Sequence, residues 1–263
     1  MAAQGRPDLQ YGILVRHIPT ACDTLVARVI DVSHNIATSA VISVPSQKAT
    51  VEYVDFEDGK MPPRGWKVVR SRTGTGTTVA NIRSAGHRKS RGMRSRDASR
   101  TETTTQRAGI EYTLSAGRFE WVAEAWFNPT ILDLGPGQSV YLLYFLSGTK
   151  LSVAARIRNS AGFFRAGIVV GQPDGTLEDA DSAGIIVPKI WRKWRLHLLR
   201  IGTRETTAVL YLNKGQQLVE QIRINWDSTT HDPTSLRAGI GLTSPGARAT
   251  VLTDELRLTE API

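Results

Sequence analysis

The stretch 194–258 constrains the fold most, because apolar residues recur there at every second position. Successive side chains of a β-strand point to opposite faces, so this period gives each segment one buried and one solvent-facing side. The pattern predicts four β-strands in a row joined by short polar turns, and the turn Asn213-Lys214-Gly215 indicates a hairpin. A β-sandwich is the fold that this stretch favours.

Strand patterns continue through much of the remaining chain. In residues 107–187, short runs rich in Val, Ile, Leu and aromatic residues alternate with turns that contain Gly and Pro. We expect about ten to twelve strands in all and no helix, whereas roughly a third of an average soluble domain is helical. Residues 70–106 are rich in Ser, Thr, Gly and Arg and are predicted to form a long loop. The sequence therefore predicts an all-β fold of two antiparallel sheets.

Residues 1–50 are predicted to form an extended N-terminal arm, followed by a β-sandwich domain in residues 51–263. Strand-forming pieces of the arm are 11–18, 24–32 and 37–44, although an apolar stripe in 24–32 leaves a helix open as an alternative. We expect the arm to add strands to its own domain or to a neighbouring copy. The second arrangement would make the protein a homo-oligomer or a polymer.

The single cysteine, Cys22, excludes an internal disulfide framework and a multi-cysteine metal site. No run approaches the roughly 18 apolar residues of a transmembrane helix, so we expect no membrane span. The N-terminal residues also lack the apolar core of a secretory signal. A location outside a cell, on a cell surface or in a virion would then require a trimmed signal or another export route.

The net charge of +9 is concentrated in one segment. Residues 59–110 contain thirteen Lys or Arg against two Asp or Glu, whereas residues 1–58 contain four against seven. Clustered cations neutralise polyanions or the acidic patch of a neighbouring subunit, although a solvated loop is the simpler alternative. Nucleic acid is not expected, because no aromatic residue lies between positions 67 and 111 to stack on bases. The candidate contact residues are Arg83, Arg88, Lys89, Arg91, Arg94, Arg96 and Arg100.

A family resemblance appears at the two ends of the proposed sandwich. The segment 55–59, Asp-Phe-Glu-Asp-Gly, is followed by Gly65-Trp66, and the chain closes with Thr-Asp-Glu-Leu-Arg-Leu in 253–258. These segments resemble the first and last strands of bacterial laminin-G-like and concanavalin A-like jelly-roll domains and of similar carbohydrate-binding modules. The resemblance covers about residues 52–260 and implies a two-sheet jelly-roll sandwich, but fold alone does not fix function.

The resemblance also implies a structural Ca²⁺ where the first and last strands meet. Asp55, Glu57 and Asp254 stand at the matching positions, and calcium takes six to eight oxygen ligands. The alternative is that these carboxylates only keep a strand edge soluble. The sequence favours this alternative, because acidic residues near turns are common.

Four tryptophans are candidates for a sugar-binding platform, because an exposed indole ring can stack on the face of a sugar. Most tryptophans of a β-sandwich pack in its core or at its rim, which is the simpler interpretation. The candidates are Trp66, Trp126, Trp191 and, ranked last because it keeps the inward phase of its strand, Trp226.

Catalysis is weighed on one motif, Glu120-Trp121-Val122-Ala123-Glu124, which resembles the catalytic strand of concanavalin-like glycoside hydrolases. Val122 stands where that motif has Asp. Residues four apart on a strand lie about 13 Å apart, whereas retaining hydrolysis needs carboxyls about 5 to 5.5 Å apart. We therefore expect Glu120 and Glu124 to be solvent-facing and the protein not to be an enzyme.

The sequence is thus interpreted as a non-catalytic, self-assembling surface or particle protein whose arm contributes strands. A lectin-like carbohydrate-binding module is the alternative, and a glycoside hydrolase or lyase is ranked below both. Neither a ligand nor an oligomer geometry follows from the sequence.

Overall fold

The computed structural model describes short strands between residues 24 and 43, and the residues 50–71, 76–88, 90–99, 101–172, 176–201, 205–227 and 232–262. It divides into two compact units, Met1–Ala49 and Thr50–Ile263. No helix occurs in the described residues, so the prediction of an all-β chain is confirmed. It follows that the described part contains no helix able to cross a bilayer.

The first unit contains four short strands in its described residues: β1 (Thr24–Leu25), β2 (Arg28–Ile30), β3 (Ile36–Thr38) and β4 (Ile42–Ser43). β1 pairs with β4 and β2 pairs with β3, both antiparallel. These strands fall in the predicted pieces 24–32 and 37–44, and the predicted strand in 11–18 lies outside the described residues.

The second unit is an antiparallel sandwich with fifteen strands in its described residues. They are β5 (Thr50–Val54), β6 (Trp66–Arg70), β7 (Thr77–Ile82), β8 (Gly92–Asp97), β9 (Gln106–Thr113), β10 (Arg118–Asp133), β11 (Ser139–Ser147), β12 (Lys150–Ser160), β13 (Phe163–Gly171), β14 (Leu177–Ile185), β15 (Arg192–Ile201), β16 (Glu205–Lys214), β17 (Gln217–Asp227), β18 (Ser235–Thr243) and β19 (Arg248–Pro262).

Two sheets enclose the core. The eight-stranded sheet has the order β17-β16-β15-β10-β19-β8-β7, with β5 also paired to β19, and the seven-stranded sheet has the order β14-β13-β12-β11-β18-β9-β6. Alternate residues of both sheets meet in one apolar cluster that contains Phe127, Phe145, Ile157, Trp194 and Leu196. The other alternate residues point away from the core, and they form what we call the outer face of each sheet.

The period-two prediction for 194–258 is confirmed, with one difference in number. The structure has five strands there, β15 to β19, because the segments on either side of the turn at Gly215 are separate strands of one hairpin. The prediction of a long loop in 70–106 is wrong. Strands β7 and β8 pair with each other in this region, and β8 pairs with β19.

Candidate functional site

Polar side chains converge on the outer face of the seven-stranded sheet. Lys67 on β6, Glu111 on β9, Arg237 on β18 and Tyr144 on β11 are successive cross-strand partners and form one row. Directly opposed residues of neighbouring strands share a face, so these four side chains lie side by side. We call them the first row.

A second row lies next to the first. Tyr141 on β11 lies opposite Arg156 on β12, which lies opposite Gly167 on β13, and Gly167 in turn lies opposite Asp181 on β14. The two rows meet at β11, where the ring centroids of Tyr141 and Tyr144 are 5.7 Å apart with the planes tilted by 54°. The two rows together form what we call the tyrosine–arginine face.

A β-bulge places both tyrosines on this face. Residues three apart in a regular strand point to opposite sides, but the pairing of β11 shifts between Tyr141 and Leu143 with both of its neighbours, β12 and β18. Leu142 and Leu143 are consequently both in the core. The extra residue brings Tyr144 to the same side as Tyr141.

Each row contains an arginine that is held by carboxylates. Arg156 is buried, and Arg237, whose side chain is 12% exposed, is half-buried. Arg156 is 5% exposed and donates hydrogen bonds from Nη2 to Asp179 and to Oδ1 of Asp181, the latter at 2.9 Å. Nε of Arg237 lies 2.5 Å from Oε2 of Glu111, and Nζ of Lys67 lies 2.7 Å from Oε1 of the same carboxylate. Charge-assisted hydrogen bonds of this kind fix the position of a guanidinium.

Each of these arginines keeps one buried donor without a partner in the described part of the chain. The atoms are Nε of Arg156 and Nη1 of Arg237. Leaving a buried donor unpaired costs roughly 1 to 3 kcal/mol, so the tyrosine–arginine face carries hydrogen-bonding capacity that the fold itself does not use.

Two glycines leave room for the rows. A Cβ atom on Gly241 would lie 2.9 Å from Cβ of Tyr144, and one on Gly167 would lie 2.5 Å from Oδ1 of Asp181 and 3.1 Å from Nε of Arg156. Any larger residue would displace these side chains, since such contacts are closer than atoms pack in protein interiors.

The surroundings of the tyrosines set their protonation. Burial raises the pKa of Tyr141, and the Arg156 guanidinium, by its charge and its hydrogen bond to that side chain, opposes the rise. Burial likewise raises the pKa of Tyr144, against the nearby charges of Arg237 and Arg107. At neutral pH both phenols are therefore protonated, and the cations beside them are the groups that would stabilise a phenolate.

Exposed cations surround the tyrosines. Arg107 is exposed and close enough to Tyr144 to act on its pKa. Arg158 lies one alternate position beyond Arg156 and pairs with Asp179, its Nη1 3.1 Å from Oδ2. Cations that remain accessible attract a carboxylate or a sulfate on a ligand. The tyrosine–arginine face thus combines proton donors, accessible positive charge and aromatic rings.

Neither the tyrosines nor the two arginines were among the residues that sequence reasoning selected. The bulge breaks the alternation in β11, so Tyr141 and Tyr144 do not share a phase in the sequence. The signal that was available is in β12, where Arg156 and Arg158 alternate with the apolar Ala155 and Ile157. A charged residue in a central, otherwise apolar strand needs a polar partner, and such a pair indicates a candidate functional site.

The three predicted calcium ligands lie near one another but already have backbone partners. Oδ1 of Asp55 accepts a hydrogen bond from the N–H of Glu57, and Oε1 of Glu57 accepts one from the N–H of Arg91. Asp254 accepts bonds from the N–H groups of His87 and Glu255. Among the described residues no group of three or more His, Cys, Asp or Glu side chains is arranged to hold a metal ion. The calcium site stays a prediction.

The predicted tryptophan platform does not form one surface. Trp66 is only 6% exposed and packs in the core against Tyr112, because it keeps the inward phase of β6. Trp126 stacks on His87 with 3.6 Å between ring centroids, and Trp191 contacts the same imidazole edge-on at 5.7 Å. The side chain of Trp226 lies outside the described residues. Trp66 is thus unavailable to a sugar, and one ring face of Trp126 is covered.

The candidate basic residues fall between β7 and β8, on β8 and, in the sequence, just after it. Arg94 and Arg96 point to the outer face of the eight-stranded sheet, since Met93 and Ser95 are buried between the layers. Arg83 is exposed, and Lys89 and Arg100 lie outside the described residues. Nε of Arg88 lies 3.7 Å from Oε1 of Glu255, and Nη1 of Arg91 lies 3.4 Å from Oδ1 of Asn81. Polyanion or subunit binding here stays a prediction.

The two glutamates of the hydrolase-like motif lie on the outer face of the eight-stranded sheet. Oε1 of Glu120 is 2.8 Å from Nε2 of His197, and Glu124 is held by Lys193 and by Arg195, whose Nε lies 2.6 Å from Oε2. Although burial alone raises the pKa of Glu124, these two cations together hold it below its usual value. The expectation that Glu124 faces solvent is wrong, because it is only 7% exposed and is enclosed by its two ion pairs. Both carboxylates lie on the sheet opposite to the tyrosine–arginine face.

Comparisons with known proteins identify the fold but not a family. No protein-family model matches the chain, and no curated protein sequence does. The endo-β-1,4-glucuronan lyase of the fungus Trichoderma reesei superimposes with a TM-score of 0.57 at 14% identity, over 79% of this chain and 94% of that one. The cellulose induced protein Cip1 gives a TM-score of 0.57 at 15% identity, over 81% and 98%.

A third similar structure is the carbohydrate esterase vb_24B_21 of the Shiga toxin-encoding bacteriophage phi24B, with a TM-score of 0.51 at 12% identity, over 80% of this chain and all, 100%, of that one. At such identities the likeness concerns the fold, which is a jelly-roll β-sandwich of the concanavalin A-like kind. The predicted jelly-roll sandwich is confirmed, and nothing here assigns it to the laminin-G-like group.

The prediction of a non-catalytic, self-assembling structural protein is wrong, and so is the prediction that the chain is not an enzyme. Structures of this fold that resemble the chain include a polysaccharide lyase and a carbohydrate esterase. The error has a physical cause. The sequence motif of Glu120 and Glu124 lies on the eight-stranded sheet, whereas the tyrosine–arginine face, which has the groups for other chemistry, lies on the seven-stranded sheet.

Proposed function

We propose that this protein cleaves an acidic polysaccharide by β-elimination on the tyrosine–arginine face. The observation that carries the proposal is the position of Tyr141 and Tyr144, whose rings are 5.7 Å apart between the guanidinium groups of the buried Arg156 and the half-buried Arg237. One paired set of side chains thereby offers a proton acceptor, a proton donor and positive charge.

The chemistry of elimination requires these three elements. In a 4-linked uronate the carboxylate is attached to C5, so neutralising its charge makes the C5 proton easier to remove. A base takes that proton, a double bond forms between C4 and C5, and the C4–O bond breaks. The leaving oxygen then receives a proton from an acid, so that no water is consumed and no redox partner is needed.

The roles follow from the surroundings of each group. Burial raises the pKa of Tyr141, and Arg156 opposes this rise through its charge and its hydrogen bond to the Tyr141 side chain. Because Arg156 would stabilise the phenolate, Tyr141 is the proposed base. Tyr144, also protonated at neutral pH, is the proposed acid. The exposed Arg107 and the partly exposed Arg158 are proposed to bind substrate carboxylates, since bidentate pairing with carboxylates is the usual role of arginine.

The fold comparison supports this choice of substrate class. The similar structure from Trichoderma reesei is named as a β-1,4-glucuronan lyase, so glucuronan is the first probe. The net charge of +9 favours association with a polyanion over association with a neutral chain.

The proposal is tested by incubating the protein with glucuronan, alginate and other polyuronates and following the ultraviolet absorbance of the unsaturated sugar. We expect absorbance to rise with at least one polyuronate and not with carboxyl-reduced forms of that polymer. If polyuronates of every type are left intact, or if reducing ends appear without the unsaturated product, elimination is ruled out.

A carbohydrate-binding module is the second candidate, and one observation favours it. Burial raises the pKa of both tyrosines, so at neutral pH nearly all of each phenol is protonated and acts as a hydrogen-bond donor, not as a base. A binding module would retain a polysaccharide on this face and leave it uncleaved. Affinity electrophoresis with the same polymers, alongside the absorbance assay, separates the two candidates.

The remaining predictions are proposals of lower rank. Membership of the laminin-G-like group, a bound Ca²⁺ at Asp55, Glu57 and Asp254, and a location outside a cell all await experiment. Calorimetric titration of the protein with Ca²⁺ tests the second of these directly.

A further inference from the structure

An exposed apolar patch adjoins the tyrosine–arginine face. Phe163 is 51% exposed, Ile185 is 47% exposed and Val187 is 45% exposed. Phe163 and Arg165 share the outer phase of β13, because Phe164 and Ala166 pack toward the core. Ile185 lies directly opposite Arg165, so it is on the same face. The patch is thus a continuation of the surface that carries the proposed site.

The residue Phe163 begins β13 directly after a tight turn. It is the first residue of β13 and pairs with Ser160 across a two-residue turn, in which Ala161 and Gly162 have φ values of 51° and 85°. The side chain of Asn159 accepts a hydrogen bond from the N–H of Gly162 at 3.1 Å and donates one to the carbonyl oxygen of Leu134 at 2.7 Å. Such a turn fixes the backbone from which the Phe163 side chain projects, which reduces the ordering that binding requires.

Two arginines connect the patch with the tyrosines. Arg158 and Arg165 are direct cross-strand partners, one alternate position beyond Arg156 and Gly167. Nη1 of Arg165 donates to the carbonyl oxygens of Ser182 and Ala183, at 3.2 Å and 2.8 Å, which anchors its guanidinium at the bulge of β14. At about 3.3 Å per residue, Phe163 lies roughly 13 Å along β13 from Gly167 in the second row. A polysaccharide that contacts both places must do so through different sugar units along its chain.

We propose that Phe163 is a distal subsite that stacks on a sugar ring several units away from the bond that is cleaved. Its ligand is one arm of the same acidic polysaccharide, with carboxylates facing Arg158 and Arg165 and the apolar face of a ring on Phe163. The inference rests on the proposed function of the tyrosine–arginine face. A distal subsite would account for the exposure of a large aromatic residue beside two cations on this sheet.

The experiment compares wild type, Phe163→Ala and the control Tyr53→Ala on size-fractionated oligouronates prepared from glucuronan and alginate. Tyr53 is also an exposed aromatic residue, at 57%, but it lies on β5 of the other sheet. Binding is measured by calorimetry and cleavage by the ultraviolet assay. We expect Phe163→Ala to lower the affinity for octasaccharides about tenfold, which corresponds to the loss of one aromatic contact. Disaccharides, too short to span the distance, should be bound equally by all three proteins.

The possible results separate the inference from the function on which it rests. Equal affinity of wild type and Phe163→Ala for octasaccharides overturns the distal subsite and leaves the proposed cleavage intact. A loss of affinity that is the same for disaccharides and octasaccharides also overturns it, because the effect is then not distal. If wild type neither binds nor cleaves any uronate, the proposed function falls and the subsite falls with it. Because Phe163 is exposed, the substitution should leave the melting temperature unchanged, which circular dichroism verifies.

Discussion

Cζ of Arg237 lies 5.7 Å from the centroid of the Tyr144 ring, over its face. At this distance a guanidinium is attracted to the ring, and Arg237 is itself fixed by Glu111 at 2.5 Å. The ring of Tyr144 is therefore positioned by a chain of contacts that crosses three strands. Changing Tyr144, Arg237 or Glu111 should therefore have different effects on cleavage and on stability.

Replacing either tyrosine by phenylalanine removes only a hydroxyl group. Tyr141→Phe and Tyr144→Phe should each lower the rate of polyuronate cleavage about 100-fold or more, the usual contribution of a positioned acid or base. Polysaccharide binding should change little, because the rings and the arginines remain. Initial rates and binding isotherms of the purified variants give the two quantities. Cleavage at the wild-type rate by both variants would assign the proton transfers to other groups.

The pH dependence of cleavage provides an independent check on the proposed base. Burial raises the pKa of Tyr141 above its ordinary value of 10.0, so the reactive phenolate is the minor form throughout the neutral range. Below that pKa the phenolate fraction increases about tenfold for each pH unit. The rate at low substrate concentration should consequently increase with pH up to the alkaline limit of folding. A rate that peaks near neutrality and then declines would point to a base other than tyrosine.

The sandwich itself could be predicted, because burial in a two-layer fold imposes period two on the sequence. Trp194, Leu196 and Leu198 are all in the core, and the residues between them face outward. In this stretch the alternation of apolar and polar residues follows from burial of one strand face, so it is visible within the sequence of each strand. The same alternation holds in β10, where Trp121, Ala123 and Phe127 are in the core.

Strand β8 could not be predicted, because its inward residues are mostly polar. Ser95 and Asp97 are buried between the layers together with Met93. Oδ2 of Asp97 accepts a hydrogen bond from the hydroxyl of Thr243 at 2.6 Å, and Oδ1 accepts one from the hydroxyl of Ser99. A buried carboxylate is tolerated only with such partners. Thr243 is far away in the sequence, so the partner is unknown until the fold is known.

The tyrosine–arginine face was missed for a related reason. The phase of Tyr144 depends on the bulge after Tyr141, which is a property of how β11 pairs with β12 and β18. The burial of Arg156 likewise depends on Asp179 and Asp181, two strands away in the sheet. Sequence patterns record which residues are apolar, but not which polar residues meet across strands.

The ion pairs of Glu111 predict a specific response to acid. Although burial alone raises the pKa of this carboxyl, the hydrogen bonds and charges of Lys67 and Arg237 together lower it below its usual value. A carboxyl whose pKa is lowered on folding adds stability above its unfolded pKa, about 4.3, and the contribution disappears as the pH falls through the folded value. Near neutral pH, Glu111→Gln should lower the free energy of unfolding by about 2 to 3 kcal/mol, since it leaves the half-buried Arg237 without its counter-charge.

Urea denaturation of both proteins at several pH values measures this effect. The difference between wild type and Glu111→Gln should shrink steadily below about pH 4.3 as the wild-type carboxyl is protonated. Glu220→Gln is the matched control, because Glu220 pairs with Arg223 on the surface and is 42% exposed. That change should cost at most about 1 kcal/mol at any pH. A difference for Glu111→Gln that stays constant from neutral to acidic pH would mean that its charge does not stabilise the fold.

Gly241 provides the most direct test of the position of Tyr144. A methyl group at Gly241 would lie 2.9 Å from Cβ of Tyr144, an atom close to the backbone that cannot rotate away. Gly241→Ala should therefore displace the tyrosine, lower the rate of cleavage and destabilise the fold by about 1 to 3 kcal/mol. Gly184→Ala is the control, since its nearest neighbour would be 3.7 Å away, at Oε1 of Gln221. A Gly241→Ala variant that matched Gly184→Ala in both cleavage rate and melting temperature would give the opposite result. It would show that Tyr144 does not need the space beside Gly241 and that the activity does not depend on its position in the first row.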